Sequence, residues 1–532
     1  MEFNIADLYE SIADVIGERT AVVAGDRRLT FGELEARANR MAHFFTARGV
    51  KAGDHVGMHL YNHAEFVEVM LGLFKIRAVP ININYRYVAH EVKYLAENSD
   101  MVALVTQYEL QAMALDAIAG LDAVHTVVAL ADDSGRPLAD GVIDYDDAMG
   151  QGHEGRGFET RSGDDLYIIY TGGTTGMPKG VMWRQEDVFF AGLQGGAPGD
   201  DDIEYPEALA ERIIDEDYAL SMLPAAPFIH GSAQWTCWIC LFTGGKLILQ
   251  PGKSFDAKRV CELLYEEQAT TLTLLGDAMA RPLVEELLTG KHDMESVVAV
   301  ASAGAILTPT VRKQLEELMP DAMILNNFGA SETGHQGSAI PGEEFGAEGR
   351  PSFYMDETNV VLGEDDQPIE PGSGVIGRLA RKGRVPLGYY KDAEKTAERF
   401  VTIDGERYVV AGDYATVEED GRVTVYGRGS VCINTGGEKV YPSEVEETLK
   451  QHPDVFDVLV VGIADAKWMQ RVAAVVQPRA GAAPTLEDLQ THCRKMIAGY
   501  KVPRVLRLVD KVERQPSGKP DYKWAFGLME NA

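Results

Sequence analysis

Apolar positions follow two different periods along the chain, which predicts strands that alternate with helices. Runs such as "HVGMHLYN", "AVPINI", "MVALVT", "TVVAL", "TLTLL" and "VVAVASAG" have the length and the β-branched content of buried strands. Between such runs, "LTFGELEARANRMAHFFTARGV" places Leu34, Ala38, Met41 and Phe45 on one helical face, after a capping box that begins at Thr30. This alternation predicts an α/β fold with mostly parallel sheets flanked by helices.

The pattern changes at two places along the chain. Residues 194–217, "QGGAPGDDDIEYPEALAERIIDED", are acidic and glycine-rich, and they predict a surface excursion that is either a lid near a site or a plain insertion. After residue 428, "GRGSVCINTGGEKVYPSEVE" predicts a glycine-marked turn that leads into a helix capped by Ser443. Two strands and a helix follow. We therefore expect a large domain over 1–428 and a small α+β domain over 429–532.

Composition excludes several classes of protein. The length of 532 residues is too great for one ordinary core, and the formal net charge of −32 disfavours nucleic acid and anionic lipid surfaces as partners. The five cysteines are an odd, sparse set, and Cys237 and Cys240 lie in apolar "QWTCWICLF", which predicts core packing in a reducing compartment. No signal-peptide core and no apolar run of about 20 residues is visible, so we expect a cytoplasmic protein without a membrane span.

The segment "YTGGTTGMPKGVMW", residues 170–183, combines glycines, threonines and one lysine directly after a predicted strand that ends near Tyr170. Glycine loops let successive N–H groups converge on phosphate oxygens, and hydroxyls and a cation add to that binding. Lys179 stands between Pro178 and Gly180, so no helix begins there and the segment is not a Walker A loop. The candidate phosphate-binding residues are Thr171, Gly172, Gly173, Thr174, Thr175, Gly176 and Lys179.

This loop resembles the signature loop of the adenylate-forming superfamily, which includes acyl-CoA synthetases, nonribosomal peptide adenylation domains and luciferases. Further segments resemble the motifs of that family in the expected order over essentially the full chain: "ASAGAILTP" (301–309), "NNFGASETG" (326–334), "YVVAGDYATVEEDG" (408–421), "YGRGSV" (426–431) and "VERQPSGKPDYKWA" (512–525). The chain is most similar to actinobacterial fatty-acyl-CoA synthetases that activate bulky, ring-bearing acids such as sterol side chains. The resemblance implies the adenylate-forming fold with a mobile small domain.

The resemblance implies roles for the residues of "NNFGASETG". Phe328 would stack on adenine, Ser331 would donate to the α-phosphate, and Glu332 would hold Mg²⁺, a hard cation suited to a carboxylate. The family more often has Tyr at the position of Phe328 and Thr at that of Ser331, but an aromatic face and a hydroxyl remain. Asn327 and Gly329 of the same segment, with Gly304 and Ala305, would line the nucleotide pocket.

Three further segments would bind ribose and supply the catalytic cation. The resemblance places Asp413 on the ribose hydroxyls, although Ala411 replaces the usual Thr nearby, and it places Arg428 near ribose or phosphate. Lys519 would be the catalytic lysine, acting with Thr174 and Glu332 on the phosphates. Ser430 would be the hinge, where the family often has Asp or Lys, and the residues on the CoA side would be Gly436, Gly437 and Lys439.

The acyl group is expected to bind beside "LPAAPFIHG" and "LLGDAMARPL". The resemblance places His230 at the acyl carboxylate and the thiol path, and a histidine packed on an apolar turn is the alternative. The expected pocket is apolar with small residues that leave room, which favours a hydrophobic or bulky acid over acetate. Its candidate residues are His230, Ala233, Trp235, Gly276 and Met279.

The activity implied is that of an ATP-dependent acyl-CoA ligase in lipid metabolism. A carboxylate attacks ATP to give acyl-AMP and pyrophosphate, and CoA then takes the acyl group and releases AMP. The cofactor is Mg²⁺, the partners are the acid, ATP and CoA, and a homodimer stays open. One alternative is an acyl-adenylate former that passes the acyl group to a carrier-protein thiol or an amine. The other is a nucleotide-dependent binding protein without turnover.

Overall fold

The computed structural model describes residues 1–171, 177–199, 202–216, 219–305, 307–339, 351–428, 433–435, 438–465, 469–497, 499–515 and 519–530. Gly172, Gly173, Thr174, Thr175, Gly176, Ser430, Gly436 and Gly437 lie outside these ranges, as do the side chains of Arg428 and Lys439.

The helices, in chain order, are α1 (Ile5–Ile16), α2 (Phe31–Ala47), α3 (Ala64–Lys75), α4 (Ala89–Asn98), α5 (Gln111–Ile118), α6 (Tyr145–Gln151), α7 (Gln185–Ala191), α8 (Ala208–Glu216), α9 (Gly231–Phe242), α10 (Ala257–Glu266), α11 (Asp277–Leu287), α12 (Pro309–Leu318), α13 (Ala393–Arg399), α14 (Pro442–Lys450), α15 (Leu486–Cys493) and α16 (Tyr522–Glu530). A short 3₁₀ turn spans Gln194–Gly196.

The strands are β1 (Thr20–Ala24), β2 (Arg27–Thr30), β3 (His55–Met58), β4 (Val79–Asn82), β5 (Met101–Gln107), β6 (Thr126–Leu130), β7 (Ile143–Asp144), β8 (Leu166–Thr171), β9 (Lys179–Arg184), β10 (Met222–Pro224), β11 (Leu247–Leu249), β12 (Thr271–Leu274), β13 (Ala299–Ser302), β14 (Met323–Ala330), β15 (Gly334–Ala339), β16 (Ser352–Met355), β17 (Asn359–Leu362), β18 (Gly377–Lys382), β19 (Gly388–Tyr389), β20 (Phe400–Ile403), β21 (Glu406–Val409), β22 (Asp413–Val417), β23 (Val423–Arg428), β24 (Ile433–Thr435), β25 (Glu438–Val440), β26 (Val455–Asp465), β27 (Met469–Pro478) and β28 (Val505–Leu508).

Two sheets of the large domain are parallel where strands alternate with helices, as the periodicity predicts. One has the order β4-β3-β5-β6-β7. The other contains the parallel series β1-β11-β10-β12-β13-β14 and continues through β15, β16, β23 and β22 with antiparallel pairing. The antiparallel extension departs from the sequence prediction, because strands after β14 are joined mostly by short turns rather than helices.

The strands before and after the phosphate-loop candidate belong to a separate antiparallel sheet with the order β19-β9-β8. The predicted strand before the loop is β8, and Lys179 opens β9. Because a strand and not a helix begins at Lys179, the loop differs from a Walker A loop, as predicted.

The small domain is built on a second five-stranded sheet, with the order β25-β24-β27-β26 and with β28 beside β27. β23 ends at Arg428 in the large sheet and β24 begins at Ile433 in the small one, on either side of the predicted boundary. The predicted Ser443 cap is wrong: α14 begins at Pro442 with Tyr441 as its N-cap, so Ser443 lies within the first turn, and no side chain caps the helix.

Two other expectations concern burial. Cys237 and Cys240 are fully buried on α9, so the prediction that they pack in the core is confirmed. Within the part of the chain that the structure describes, no helix has both the length and the apolar character needed to cross a membrane.

Candidate active site

A cavity of about 560 Å³ lies between α9 and the parallel strands of the large sheet, under the small domain. Ligand sites in α/β sheets form beyond the carboxyl ends of parallel strands. At that end, the sequence-predicted residues that line the cavity are Thr171, His230, Gly304, Asn327, Phe328, Gly329, Ser331 and Lys519. The structure therefore brings residues from separate motifs and from both domains to one site.

One wall of the cavity is formed by alternate residues of three adjacent parallel strands. Side chains of a strand point to opposite faces in turn, so residues two apart share a face. The register pairs Thr271 with Ala299 and Ala299 with Met323, and the next row repeats this two residues later. The alternate residues that form this wall, in the strands and in the turns that follow them, are Thr271, Thr273, Leu275, Ala299, Ala301, Ala303, Met323, Leu325 and Asn327.

The opposite wall is one face of α9. Ser232, Trp235, Thr236 and Ile239 line the cavity, and their spacing of three and four residues places them on the same side of the helix. Because β13, the middle strand of the sheet wall, contributes only the alanines Ala299 and Ala301 to it, a channel remains open between helix and sheet.

The channel reaches the amino-terminal edge of the parallel strands. Leu220, Met222, Val298 and Met323 line that end, and the last two are 49% and 55% exposed. Gln194 and Pro198 also line the cavity, so the beginning of the acidic 194–217 segment forms part of the wall. This placement favours the lid interpretation of that segment over a plain insertion.

Three acyl-pocket candidates do not line the cavity. Ala233 is 1% exposed and lies on α9 next to Ser232, about 100° round the helix from the lining face. Gly276 precedes α11, where its N–H donates to the Ser302 hydroxyl, and Met279 packs in the core. The wall at this level is instead Leu274 and Leu275. Sequence adjacency was a poor guide here because the direction of each side chain depends on the element that carries it.

The adenine candidate Phe328 is held by an aromatic neighbour. Its ring centroid lies 5.2 Å from that of Phe353, and Ser338 donates to the Asn327 side chain at 2.7 Å. Beside them, the Trp183 indole N–H donates to the Ser331 carbonyl at 2.8 Å. Ala305 is not among the lining residues. These contacts fix the backbone of the "NNFGAS" strand at the mouth of the cavity.

Lys179 and Glu332 lie outside the cavity lining but are connected through two residues that the sequence analysis missed. Lys179 pairs with Asp392, and its Nζ lies 5.7 Å from the centre of the Tyr389 ring. The Tyr389 hydroxyl donates to Glu332 Oε1 at 3.0 Å. The hydrogen bond from Lys179 lowers the pKa of Asp392, which also accepts the Lys395 N–H as the N-cap of α13. Tyr389 and Asp392 thus separate the cation from the carboxylate.

The Glu332 carboxylate suits a Mg²⁺ ion that arrives with phosphates. No group of three or more His, Cys, Asp or Glu residues in the described ranges could hold a metal ion. Mg²⁺ keeps several waters and is usually bound by one or two carboxylates together with substrate phosphates. A single carboxylate with one oxygen oriented by Tyr389 fits that mode.

The ribose candidates lie together at the end of the large domain. Asp413 opens β22, and the register places it opposite Arg428 in β23. Lys519 comes from the small domain and lines the cavity with Gln515, whose N–H donates to the Lys519 carbonyl at 2.9 Å.

His230 is neutral at the pH of most cells. Burial, with the nearby Lys519 and Arg86 cations, lowers the pKa of His230 to about 3. Its Nε2 atom is buried without a hydrogen-bond partner among the described residues, and the residue precedes α9 as its N-cap. A neutral imidazole at the junction of channel and nucleotide end contributes shape and hydrogen bonding without charge.

We expect the thermal midpoint to fall as the pH falls from 6.5 towards 4. Burial also lowers the pKa values of His59 and His335 to about 4. In this window the unfolded chain binds protons on these imidazoles that the folded chain does not, so stability is lost on acidification. Glu446, whose pKa burial raises to about 6, acts in the opposite direction as a single group. Scanning calorimetry across this range should show a shallower slope for His59→Asn; an unchanged slope would contradict the explanation.

Comparison with known proteins agrees with this geometry. Models for the AMP-binding enzyme and for the AMP-binding enzyme C-terminal domain match residues 10–390 and 444–519. The chain is 45% identical to a medium/long-chain-fatty-acid–CoA/3-oxocholest-4-en-26-oate–CoA ligase of Mycolicibacterium smegmatis, covering 100% of this chain and 97% of that protein. It is 46% identical to a 3-oxocholest-4-en-26-oate–CoA ligase of Rhodococcus rhodochrous, covering 99% and 96%.

The fold is that of a solved anthranilate CoA ligase, AuaEII, in complex with anthranoyl-AMP. The TM-score is 0.83 at 23% identity, covering 99% of this chain and 98% of the other. The chain belongs to the AMP-binding enzyme family, and it is an acyl-CoA ligase of that family.

Proposed function

We propose that the enzyme converts medium- or long-chain and steroid-type carboxylic acids to CoA thioesters by way of an acyl adenylate. The observation that carries this proposal is the channel between α9 and the alanine-bearing strand β13. It runs from Lys519 at the nucleotide end to Val298 and Met323 at the other edge of the sheet. A short acid would leave most of this apolar surface in contact with water.

The dimensions of the channel favour an extended acid. From Asn327 to Met323 the strand spans four residue steps, or about 13 Å at a strand rise of about 3.3 Å. That length accommodates roughly ten extended methylenes. The width left by Ala299 and Ala301 suits a ring system as well as a chain.

The chemistry of the walls favours an acid that is uncharged beyond its carboxylate. The charged side chains among the described lining residues are Glu91 and Lys519, and Lys519 lies at the nucleotide end. Polar groups along the channel are neutral donors: the Thr236 and Thr273 oxygens lie 3.5 Å apart, Thr271 is in the farther row, and the Trp235 indole N–H lies on the lining face of α9. Hydroxyls donate to a neutral oxygen such as a ring ketone, whereas a second carboxylate would be left without a cation.

In the first half-reaction the carboxylate of the acid attacks the α-phosphorus of ATP, and pyrophosphate leaves. Lys519 and Ser331 line the cavity and would donate to the phosphates, where charge develops. Lys179, at the start of β9, would have to exchange its pairing with Asp392 for a phosphate. Glu332 would hold Mg²⁺, which neutralises phosphate charge when bound. Asp413, opposite Arg428, would hold the ribose.

In the second half-reaction the CoA thiol attacks the acyl carbon and AMP leaves. Lys519 is not required for that step, and the small domain would rotate about Ser430 and present the turn with Gly436, Gly437 and Lys439 to CoA. Neutral His230 borders both the acyl carboxylate and the thiol path without competing with Lys519 for negative charge. His230 is therefore compatible with both steps.

Pyrophosphate release with Mg-ATP over a panel of acids tests this proposal. The panel runs from short fatty acids to steroid acids, each with and without CoA, and AMP and thioester are measured as products. We expect release with the extended acids and thioester when CoA is present. Release without thioester would support transfer to a carrier-protein thiol or an amine, and no release with any acid would support a binding protein.

Tyr389→Phe is expected to lower the rate of acyl-adenylate formation about tenfold. The change removes the hydroxyl that donates to Glu332 but keeps the ring beneath Lys179. Without that hydroxyl the Glu332 carboxylate is no longer oriented and has to be ordered in the transition state. The activation free energy then rises by about the worth of one hydrogen bond to a charged group. ATP–pyrophosphate exchange, measured over a range of Mg²⁺ concentrations, should show a higher Mg²⁺ requirement.

Tyr390→Phe is the matched control for that variant. The neighbouring Tyr390 hydroxyl donates to Asp100 at 2.8 Å, away from Lys179 and Glu332. Tyr390→Phe should therefore leave the ATP–pyrophosphate exchange rate and the Mg²⁺ requirement unchanged. Equal effects of the two variants would argue against a role for Tyr389 in orienting Glu332.

A further inference from the structure

A chain of buried charges crosses from the large domain into the small one. Asp277 is in the first turn of α11, and Lys450 ends α14. The Lys450 Nζ atom lies 3.5 Å from Asp277 Oδ2 and 3.8 Å from Asp457 Oδ1 of the small-domain sheet. The side chains of all three residues are less than 10% exposed. Burying these charges has a small free-energy cost only while each charge keeps a partner of opposite sign.

Asp277 is fixed within its own domain. Its Oδ1 accepts the Thr308 N–H at 2.8 Å, its Oδ2 accepts the Thr308 hydroxyl at 2.9 Å, and Arg281 donates to it at 3.1 Å. A second contact lies beside it, where the Thr310 hydroxyl donates to Glu447 of α14 at 3.1 Å. The large domain therefore offers a rigid acceptor to one end of α14.

The chain of charges continues to the loop that carries Lys519. Arg514 donates to Asp457 Oδ2 at 2.6 Å, and it forms an isolated β-bridge with Pro520. Between these two residues, the Gln515 N–H donates to the Lys519 carbonyl. Arg514 is thus at the base of the Lys519 loop, and three ion pairs in series (Arg514–Asp457, Asp457–Lys450 and Lys450–Asp277) connect it to the large domain.

We propose that Lys450 is a positioning residue for acyl-adenylate formation, because it docks the small domain on Asp277 and, through Asp457 and Arg514, sets the Lys519 loop over the cavity. This inference rests on the proposed two-step function. When the small domain rotates for thioester formation, Asp277 keeps Thr308 and Arg281, and Lys450 keeps Asp457. Both sides of the broken contact retain partners, so the pair can separate and form again in each cycle.

The test compares the two half-reactions in Lys450→Met, which removes the charge and keeps the length of the side chain. We expect acyl-adenylate formation, measured by ATP–pyrophosphate exchange, to fall about 10- to 100-fold, as is typical when catalytic groups are misplaced. Thioester formation from supplied acyl adenylate and CoA should change less than about threefold. Lys450→Arg, which keeps the cation, should recover most of the exchange rate.

Lys501→Met is the matched control. Lys501 is equally buried in the small domain, but its partner Glu444, at 2.6 Å, belongs to the same domain. Any loss of activity in Lys501→Met should be equal in the two half-reactions. It should also be accompanied by a matching fall in the thermal midpoint of that variant. Equal losses in both half-reactions of Lys450→Met, or an unchanged exchange rate, would overturn the inference. Absence of exchange in the unmodified enzyme would instead overturn the proposed function.

Discussion

Lys519→Ala is expected to lower acyl-adenylate formation about 10²–10³-fold and to leave thioester formation from supplied acyl adenylate intact. Removing one preorganised charge at a transition state typically costs this much in rate. Lys519 lines the nucleotide end of the cavity together with His230, and its charge helps to lower the pKa of that histidine. In the second step AMP leaves after the small domain has rotated, as proposed above, and the lysine has then moved away from the phosphate, so it has no comparable role there.

ATP–pyrophosphate exchange and single-turnover thioester formation measure the two steps separately. Lys523→Ala is the control, because Lys523 is an exposed lysine on α16, shortly after Lys519 in the chain. It should behave as the unmodified enzyme in both assays. If Lys519→Ala reduced both half-reactions to the same extent, the assignment of the lysine to the first step alone would be wrong.

Ala301→Phe is expected to lower kcat/KM for long-chain and steroid acids roughly 100-fold, while acids of a few carbons keep most of their activity. Ala301 is in the middle row of the strand wall, between Thr273 and Leu325, and lines the channel. A phenyl ring there would close the far half of the channel. An acid that cannot bury about four methylenes, at ~0.8 kcal/mol each, loses about 3 kcal/mol of binding.

Measuring kcat/KM of Ala301→Phe with a series of straight-chain acids tests this prediction directly. The control is Ala301→Ser, which changes polarity with little change in volume and should leave the preference for long acids in place. Thermal midpoints of both variants separate a blocked channel from a destabilised sheet. A uniform loss over all acid lengths in Ala301→Phe would show that the channel does not bind the acyl group.

Local patterns were sufficient to predict the parallel half of the fold. Buried residues recur at every second position of a strand and at every third or fourth position of a helix. These two periods indicated β13 from "VVAVASAG" and α2 from "LTFGELEARANRMAHF". The phosphate-binding loop was predicted to follow a strand, and β8 confirms this. The antiparallel extension from β15 to β23 was missed because pairing between distant strands leaves no signal in either strand alone.

Contacts across the site were the harder part to predict. Tyr389 and Asp392 are more than 200 positions from Lys179, and only the pairing of β19 with β9 brings them together. "GYYKDAEKTAER" could have indicated Asp392 as an N-cap, but not as the partner of a lysine. "ASAGAILTP" resembles the lining of the adenine and acyl pocket, but that resemblance does not say which side chains face the cavity. Ala301 lines it because the direction of a strand residue depends on register.

The exposed edge at Val298 and Met323 has a consequence for how substrate length is measured. A closed pocket acts as a ruler with a maximum, because each carbon beyond its depth has to be forced in or left out. A sleeve that is open at both ends has only a minimum: once an acid fills it, further carbons emerge into solvent and add neither binding nor strain. Catalytic efficiency should therefore rise with chain length and then level off, and one active site would serve a homologous series of acids whose tails differ.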